Sequence, residues 1–445
     1  MANSGHSWAA DITDANDLYT HFLVENGPSV LVSAPERADS QSLFVIDMQN
    51  DFTLPAPAGR FSVYHGIKMA EKLSSFIEKN HSKFTKIIFS RDTHPFDHCS
   101  FAGRGGPFPA HCVINSKGAA MHESMLKFSN ISTYKNVDVI FKGCMTDADS
   151  FSAVEAIEAD EAVKISGRNT YPHERQLGKC KSLFNGTGGW YLDNKINNFV
   201  DAPFGTVCEI DDVTKCTQST YASIERKLGS KFKVEDVLKD VAEGTTHNIY
   251  IVGLAGDYCV KDTAINIMKK VRNDGGKLKG VKINVYVIHD FVRYPVLPLQ
   301  FIGNDPPQVY KSMQVVNRPD DFLNTTKPKD ANAYLFQYTP DFSNIRILSK
   351  TEVESESVQT GVKGIQAFND ASNPHRFCSF LTPTQLLLND YRNNDIKILT
   401  TIPFTTGGAR NRRRNRSNKR TRNNKRTRNN RRNRNNRRTR NNRRQ

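Results

Sequence analysis

The sequence predicts an α/β fold built on a mostly parallel sheet with helices on both faces. Three observations carry this. Apolar runs recur at 43–47 (LFVID), 86–90 (KIIFS), 137–143 (VDVIFKG), 249–253 (IYIVG) and 283–289 (INVYVIH). Stretches of helical periodicity follow the first and fourth, at 66–79 and 258–273. The runs are continuously apolar rather than alternating, as strands buried on both faces are, and crossover helices are what cover both faces of a parallel sheet. In such Rossmann-like sheets ligands bind outside the carboxyl ends of the strands.

Around these elements the chain divides by composition. Residues 1–40 read as a polar extension, in which Pro28 and Pro35 bracket VLVS, a candidate edge strand. The expected catalytic domain spans 41–300. Within it a long insertion, about 155–247, carries turn-rich text (FNGTGGWY, DAPFGTV), a helical stretch around 222–242, and Trp190, Tyr191, Cys208 and Cys216. A crossover helix is expected near its start. The insertion could close over a site or form an oligomer contact, but the simpler reading is a surface elaboration.

Residues 301–405 read as a small α+β extension of unknown role. It holds AYLFQY, NIRILS and IKILTTI, and a helix start at Thr382, Pro383, Thr384 and Gln385, where Thr caps and Gln sits at the third position. Residues 406–445 are an Arg/Asn-rich repeat tail with almost no apolar side chains, which cannot bury a core and is expected to be disordered alone.

The 445 residues carry a formal charge of +16, yet 19 of the 62 Lys and Arg lie in 410–445, which has no acid. Residues 1–409 hold 43 basic against 46 acidic residues, the balance of an ordinary globular protein. Eight cysteines without dense regular spacing suit a reducing compartment and free thiols. The polar start MANSGHSWAADITDAND is not that of a signal peptide, and no run is long enough for a membrane span. The expectation is an intracellular protein of cytoplasm or nucleus, or one packaged in a virion, without membrane contact.

The chemistry sits where the apolar runs end. Cys259 lies six residues past the 249–253 run, at a helix start, where the dipole favours thiolate. Alone it reads as a buried structural cysteine. Asp47 and Lys142 change that, because a parallel sheet brings strand ends together, and a carboxylate and an ammonium are what a thiol nucleophile needs. A second group, Asp92, His94 and His98 in DTHPFDH and His111 in PFPAH, offers carboxylate and imidazole suited to zinc, iron or manganese. Spacing alone leaves metal binding level with solvent-facing histidines in a Pro-rich loop.

DMQNDF, DTHPFDHCSFAG, PFPAHCV, FKG with TDADSFSAV, and GLAGDYCVKDTA together resemble the nicotinamidase (pyrazinamidase) branch of the isochorismatase-like hydrolases, over about residues 43–290. The resemblance implies a triad of Asp47, Lys142 and Cys259. It implies a divalent metal (zinc, or iron or manganese) on Asp92, His94 and His111, with His98 a fourth ligand in some members. It places Phe52 and Phe108 against the pyridine ring of a small-molecule amide, and the N–H groups of Ala255 and Cys259 in an oxyanion hole beside a cis peptide at 254–255. The implied reaction is hydrolysis of nicotinamide to nicotinate and ammonia through a Cys259 thioester. Two departures stand out. Gly256 replaces a usual Thr, and Phe108 a common Trp.

The tail suggests a further partner. Arginine at this density binds phosphate through charge and forked hydrogen bonds, so non-specific nucleic-acid association through 410–445 is expected. The competing reading is a nucleic-acid-binding or packaged structural protein that keeps the amidase fold as scaffold.

Overall fold

In the computed structural model the described residues are 29–155 apart from 56–57, 64 and 105–107; 188–192; 224–294; the strand backbones 335–338, 345–348 and 376–379; and 387–400 apart from 389. Residues 1–400 form one compact unit, and 401–445, a second, lie outside the described set.

Among the described residues the main sheet has nine strands. In chain order the elements are β1 (Leu31–Val32), β2 (Ser40–Ile46), α1 (Asn50–Thr53), α2 (Gly66–Asn80), β3 (Lys86–Asp92), β4 (Val137–Lys142), β5 (Trp190–Leu192), β6 (Leu228–Lys231), β7 (Thr246–Gly253), α3 (Cys259–Asn273) and β8 (Lys282–Val292). Strands β9 (Leu335–Tyr338), β10 (Ile345–Leu348) and β11 (Arg376–Ser379) follow as a separate antiparallel sheet, and β12 (Lys397–Leu399) closes the series. The main sheet runs β1-β12-β8-β7-β2-β3-β4-β5-β6, parallel from β1 to β4 and antiparallel at the β4–β5 and β5–β6 pairs.

The five predicted apolar runs are β2, β3, β4, β7 and β8, and their burial explains their composition: Leu43, Phe44, Val45 and Ile46, Ile87 to Phe89, and Ile249 to Val252 are almost wholly buried. Helix α2 has no side-chain cap at His65, so it depends on its apolar face: Met69, Ala70, Leu73, Phe76 and Ile77 are buried at helical spacing. Helix α3 buries Val260, Ala264, Ile267 and Val271 against the sheet. The chain leaves β2 in one direction to reach β3 and leaves β7 in the other to reach β8. Right-handed crossovers therefore put α2 and α3 on opposite faces, and the carboxyl ends of β2 and β7 flank the switch point where such sheets bind ligands.

The elements flanking this core differ from expectation. The candidate strand in VLVS is present as β1, but its partner is β12, in the IKILTTI run assigned to a separate extension. The main sheet thus continues past residue 300, because Ile396, Ile398 and Leu399 are apolar enough to sit buried beside β8. The insertion adds sheet rather than only surface: Trp190 in β5 pairs with Phe141 of β4, and β6 follows. In place of a helix around 222–242, the described residues there hold strand β6 and a 3-10 turn, Val234–Leu238, joined by irregular chain. The crossover helix after residue 155, Cys208, Cys216, the capped start at 382–385 and the basic tail lie outside the described residues. Cys112, Cys144 and Cys259 are free thiols as expected, whereas Cys99 is disulfide-bonded, contrary to the expectation. No described helix is long and apolar enough to cross a membrane.

Leu387, Leu388, Tyr391, Ile396, Ile398 and Leu399 are each at most 2 % exposed. At about 1.5–3 kcal/mol per buried apolar side chain they contribute as much as a typical domain's whole net stability. A chain ending at residue 300 should therefore fail to fold cooperatively, while one ending at residue 400 should match the full chain in thermal unfolding followed by circular dichroism.

Candidate active site

Four strand ends converge. Asp47 follows β2 in a left-handed conformation (φ 47°), unusual for a non-glycine residue and tolerated best by Asp and Asn. Its position is fixed by Ser90, whose hydroxyl donates to Asp47 Oδ1 (2.6 Å) and accepts from Asp47 N (3.2 Å). Asp92 ends β3, where its N–H donates to Gln49 Oε1 (2.7 Å). Lys142 ends β4 and is fully buried. Cys259 is the first residue of α3, beyond β7.

Lys142 joins these groups. Its Nζ lies 2.8 Å from Asp47 Oδ2, 3.2 Å from Asp92 Oδ1, 3.3 Å from Ser150 O and 3.5 Å from Cys259 Sγ. Burial works against the ammonium, but the two carboxylates outweigh it and hold Lys142 well above the usual lysine range. Burial raises Asp47 despite Lys142. Asp92 is held well below the carboxylate range, because His94 and Lys142 overcome its burial. Burial pushes the Cys259 thiol well above its usual value and Lys142 only partly offsets this, so the helix dipole does not produce a resting thiolate.

Beside Lys142, Asp92, His94 and His111 form one buried group whose ligand atoms lie within 4.8 Å of one another. His94 Nδ1 is tied to Gly143 O (2.9 Å) and His111 Nδ1 to Pro109 O (2.7 Å), which turns each Nε2 toward Asp92 Oδ2, at 3.0 and 3.7 Å. Backbone anchoring of one nitrogen to present the other is how metal-ligating histidines are oriented. Gly143 is part of the cradle. At its φ of +66° a Cβ would stand 2.7 Å from Asp92 Oδ1 and from His94 Cε1.

His98 falls in an overlapping group with His94 and Asp149. Its Nδ1 takes the Ser100 hydroxyl (2.7 Å) and accepts from Ser100 N (3.4 Å), leaving the proton on Nε2, 4.0 Å from Asp149 Oδ1. His98 Nε2 makes no hydrogen bond among the described residues, and the ring stacks on His94, with centroids 4.0 Å apart. Three buried carboxylates, Asp47, Asp92 and Asp149, surround one lysine. His94 is raised, its attraction to Asp92 outweighing burial, and Asp149 is raised by burial. Both attract a proton where a divalent cation would supply charge, so the donor set and its charge fit such an ion.

Phe52 and Phe108 both lie against His111, at 5.6 and 6.1 Å between centroids. Three further rings extend this wall: Phe61 is 5.2 Å from His111, and Phe151 and Tyr258 are each 6.1 Å from Phe108. Sequence reasoning missed these, although Phe151 lies in TDADSFSAV and Tyr258 directly precedes the cysteine. Nothing local marks Phe61. The Leu254–Ala255 peptide is cis, and neither Ala255 N–H nor Cys259 N–H has an acceptor among the described residues. Such unpaired donors at a helix start are what an oxyanion requires.

Residues 41–134 match the isochorismatase domain. Over that stretch the chain is similar to the isochorismatase-like hydrolases. Its relatives include the nicotinamidases of Saccharomyces cerevisiae, 27% identical over 141 residues (26% of this chain, 63% of the relative), and of Escherichia coli, 32% identical over 97 residues (18% and 44%). The chain thus spans under two thirds of the length of these curated relatives. Among solved structures, yeast nicotinamidase bound to the inhibitor nicotinaldehyde is 20% identical with a TM-score of 0.33, covering 62% of this chain and 94% of that one. The pyrazinamidase of Pyrococcus horikoshii in complex with zinc is 20% identical with a TM-score of 0.29, covering 62% and 93%.

Two outcomes follow from the electrostatics. Lys142→Met leaves Asp47 and Asp92 buried without their cation, so denaturant unfolding should show a loss of about 3–5 kcal/mol. Asp257, buried in the loop between β7 and α3, is raised to about 7 by that burial. The folded state then holds a proton that the unfolded chain has lost above pH 4, so this contribution to stability falls as pH rises from about 4 to 7. His289 and His247, lowered by burial to about 3 and about 4, act in the opposite sense. The difference between wild type and Asp257→Asn in unfolding free energy should therefore shift in favour of the variant across pH 4–7, by up to roughly 4 kcal/mol.

Proposed function

We propose that the chain is a metal-dependent cysteine amidohydrolase, a nicotinamidase that converts nicotinamide to nicotinate and ammonia and returns it to NAD synthesis. The observation that supports this most is the buried Lys142 ammonium held at once by Asp47, Asp92 and Cys259, beside the Asp92, His94, His111 group.

The chain's residues divide the work as follows. Cys259 rests as a thiol, and Asp47, made more basic by burial, accepts its proton as the sulfur attacks the carboxamide carbon. Lys142 stays charged and stabilises the thiolate as it forms. The N–H groups of Ala255 and Cys259 donate to the carbonyl oxygen as it becomes an oxyanion. Asp47 returns the proton to the departing nitrogen, releasing ammonia and leaving a thioester on Cys259, which water hydrolyses to the carboxylic acid. Phe52 and Phe108 hold the aromatic ring against His111. A divalent ion, zinc or iron or manganese, on Asp92, His94 and His111 would hold the pyridine nitrogen and polarise the hydrolytic water.

The second reading, nucleic-acid binding, is favoured by the 19 Lys and Arg in 410–445, a stretch without acids. It is compatible with the first, as an enzyme tethered by its tail inside cytoplasm, nucleus or virion. Removing residues 410–445 should abolish salt-sensitive retention of a mixed-sequence DNA duplex in a mobility-shift assay and leave kcat for the amide within about twofold.

Ammonia release from nicotinamide tests the main reading. Cys259→Ala should lower kcat by at least about 10³-fold, and a chelator should abolish turnover until divalent metal is restored. Turnover that survives Cys259→Ala would exclude the cysteine mechanism.

A further inference from the structure

Gly256 lies between the cis peptide and the nucleophile, in a backbone conformation open to any residue. Its lack of a side chain has another cause. A Cβ there would stand 2.6 Å from Tyr294 Cδ1 and 2.7 Å from Val292 Cγ1, because the Tyr294 ring and the Val292 side chain together occupy that space. Tyr294 is 4 % exposed, just beyond the end of β8, and the adjoining Arg293 carbonyl accepts the Gly256 N–H at 2.9 Å. The back of this loop therefore rests twice on the segment that follows β8, through one hydrogen bond and one ring.

A second brace enters from Asp390 and Tyr391, shortly before β12. Lys261, two residues after Cys259 and fully buried, points its Nζ to Asp390 Oδ2 (3.7 Å) and Asp262 Oδ1 (3.2 Å). Tyr391, also fully buried, neighbours both Tyr294 and Asp257, and this proximity with burial drives its hydroxyl far above the tyrosine range. The two N–H groups at Ala255 and Cys259 are thus carried on a loop whose rear face is filled by aromatic and ion-paired side chains from two other parts of the chain.

We propose that Tyr294 is a positioning residue for the amidase site: its ring takes the place of a side chain at residue 256 and sets where the Ala255 and Cys259 amides and the Cys259 sulfur stand. This rests on the amidohydrolase reading for its catalytic consequence. Tyr294 touches no reacting atom. It acts through Gly256, and a displacement of about 1 Å at the amides costs on the order of 100-fold in rate.

The test is an exchange of bulk across the contact. Tyr294→Ala empties the space, Gly256→Thr forces a side chain against the ring, and the double variant Gly256→Thr/Tyr294→Ala restores a filled contact. The full chain and each variant are assayed for kcat and KM with nicotinamide, and for the pH dependence of Cys259 alkylation by iodoacetamide. Each single variant should lose roughly 10–100-fold in kcat with KM within about threefold, and shift the alkylation profile; the double variant should recover at least about tenfold of kcat and the wild-type profile. Single variants that change only the melting temperature, or a double variant no better than the worse single one, would overturn the proposal. If Tyr294→Ala does not fold, Tyr294→Leu with and without Gly256→Thr is read the same way. If the wild-type chain releases no ammonia, the amidohydrolase reading fails, and the alkylation profiles alone decide whether Tyr294 positions Cys259.

Discussion

One buried ammonium organises this site. Lys142 is the cation on which Asp47 and Asp92 both depend, and it lies within 3.5 Å of the Cys259 sulfur. Two carboxylates at that depth cannot both stay charged without a partner, and a lysine at that depth cannot stay charged without them. The requirement reaches back into the sheet, because β2, β3, β4 and the loop after β7 must end at the same level for one side chain to serve all four groups. The parallel order around the switch point between β2 and β7 meets it.

The same arrangement sets the chemistry. A thiol at a helix start is commonly expected to be acidic, and burial reverses that here. The consequence is a buried thiol that resists ionisation, beside a carboxylate that burial has raised.

Much of this was legible in the sequence, for identifiable reasons. Buried parallel strands must be continuously apolar, so the five runs declare themselves. Asp47, Asp92 and Lys142 end or follow such runs, where each alone reads as a strand-end ion-pair partner and only their convergence points to a site. What escaped were elements defined by partners distant in sequence. IKILTTI reads as a short alternating run, and only its place between β1 and β8 reveals it as part of the main sheet. Residues 228–231, LGSK, carry little strand signal and become β6 by pairing with β5. Phe61 joins the aromatic wall through a loop that no periodicity describes. The roles of Gly143 and Gly256 likewise depend on side chains far along the chain that fill the space beside them.

The place of β12 bears on how the chain comes off the ribosome. It is an internal strand, between β8 and β1, yet roughly 100 residues separate it from β8 in the sequence. At about 5–20 residues per second, β8 waits on the order of ten seconds with its hydrogen-bonding edge unpaired while the intervening segment is made. An open, apolar edge is a template for pairing with another chain. The nascent protein therefore passes through an interval in which every residue of its candidate catalytic group has been made while β8 still awaits β12, and that edge is open to mispairing and to capture by chaperones.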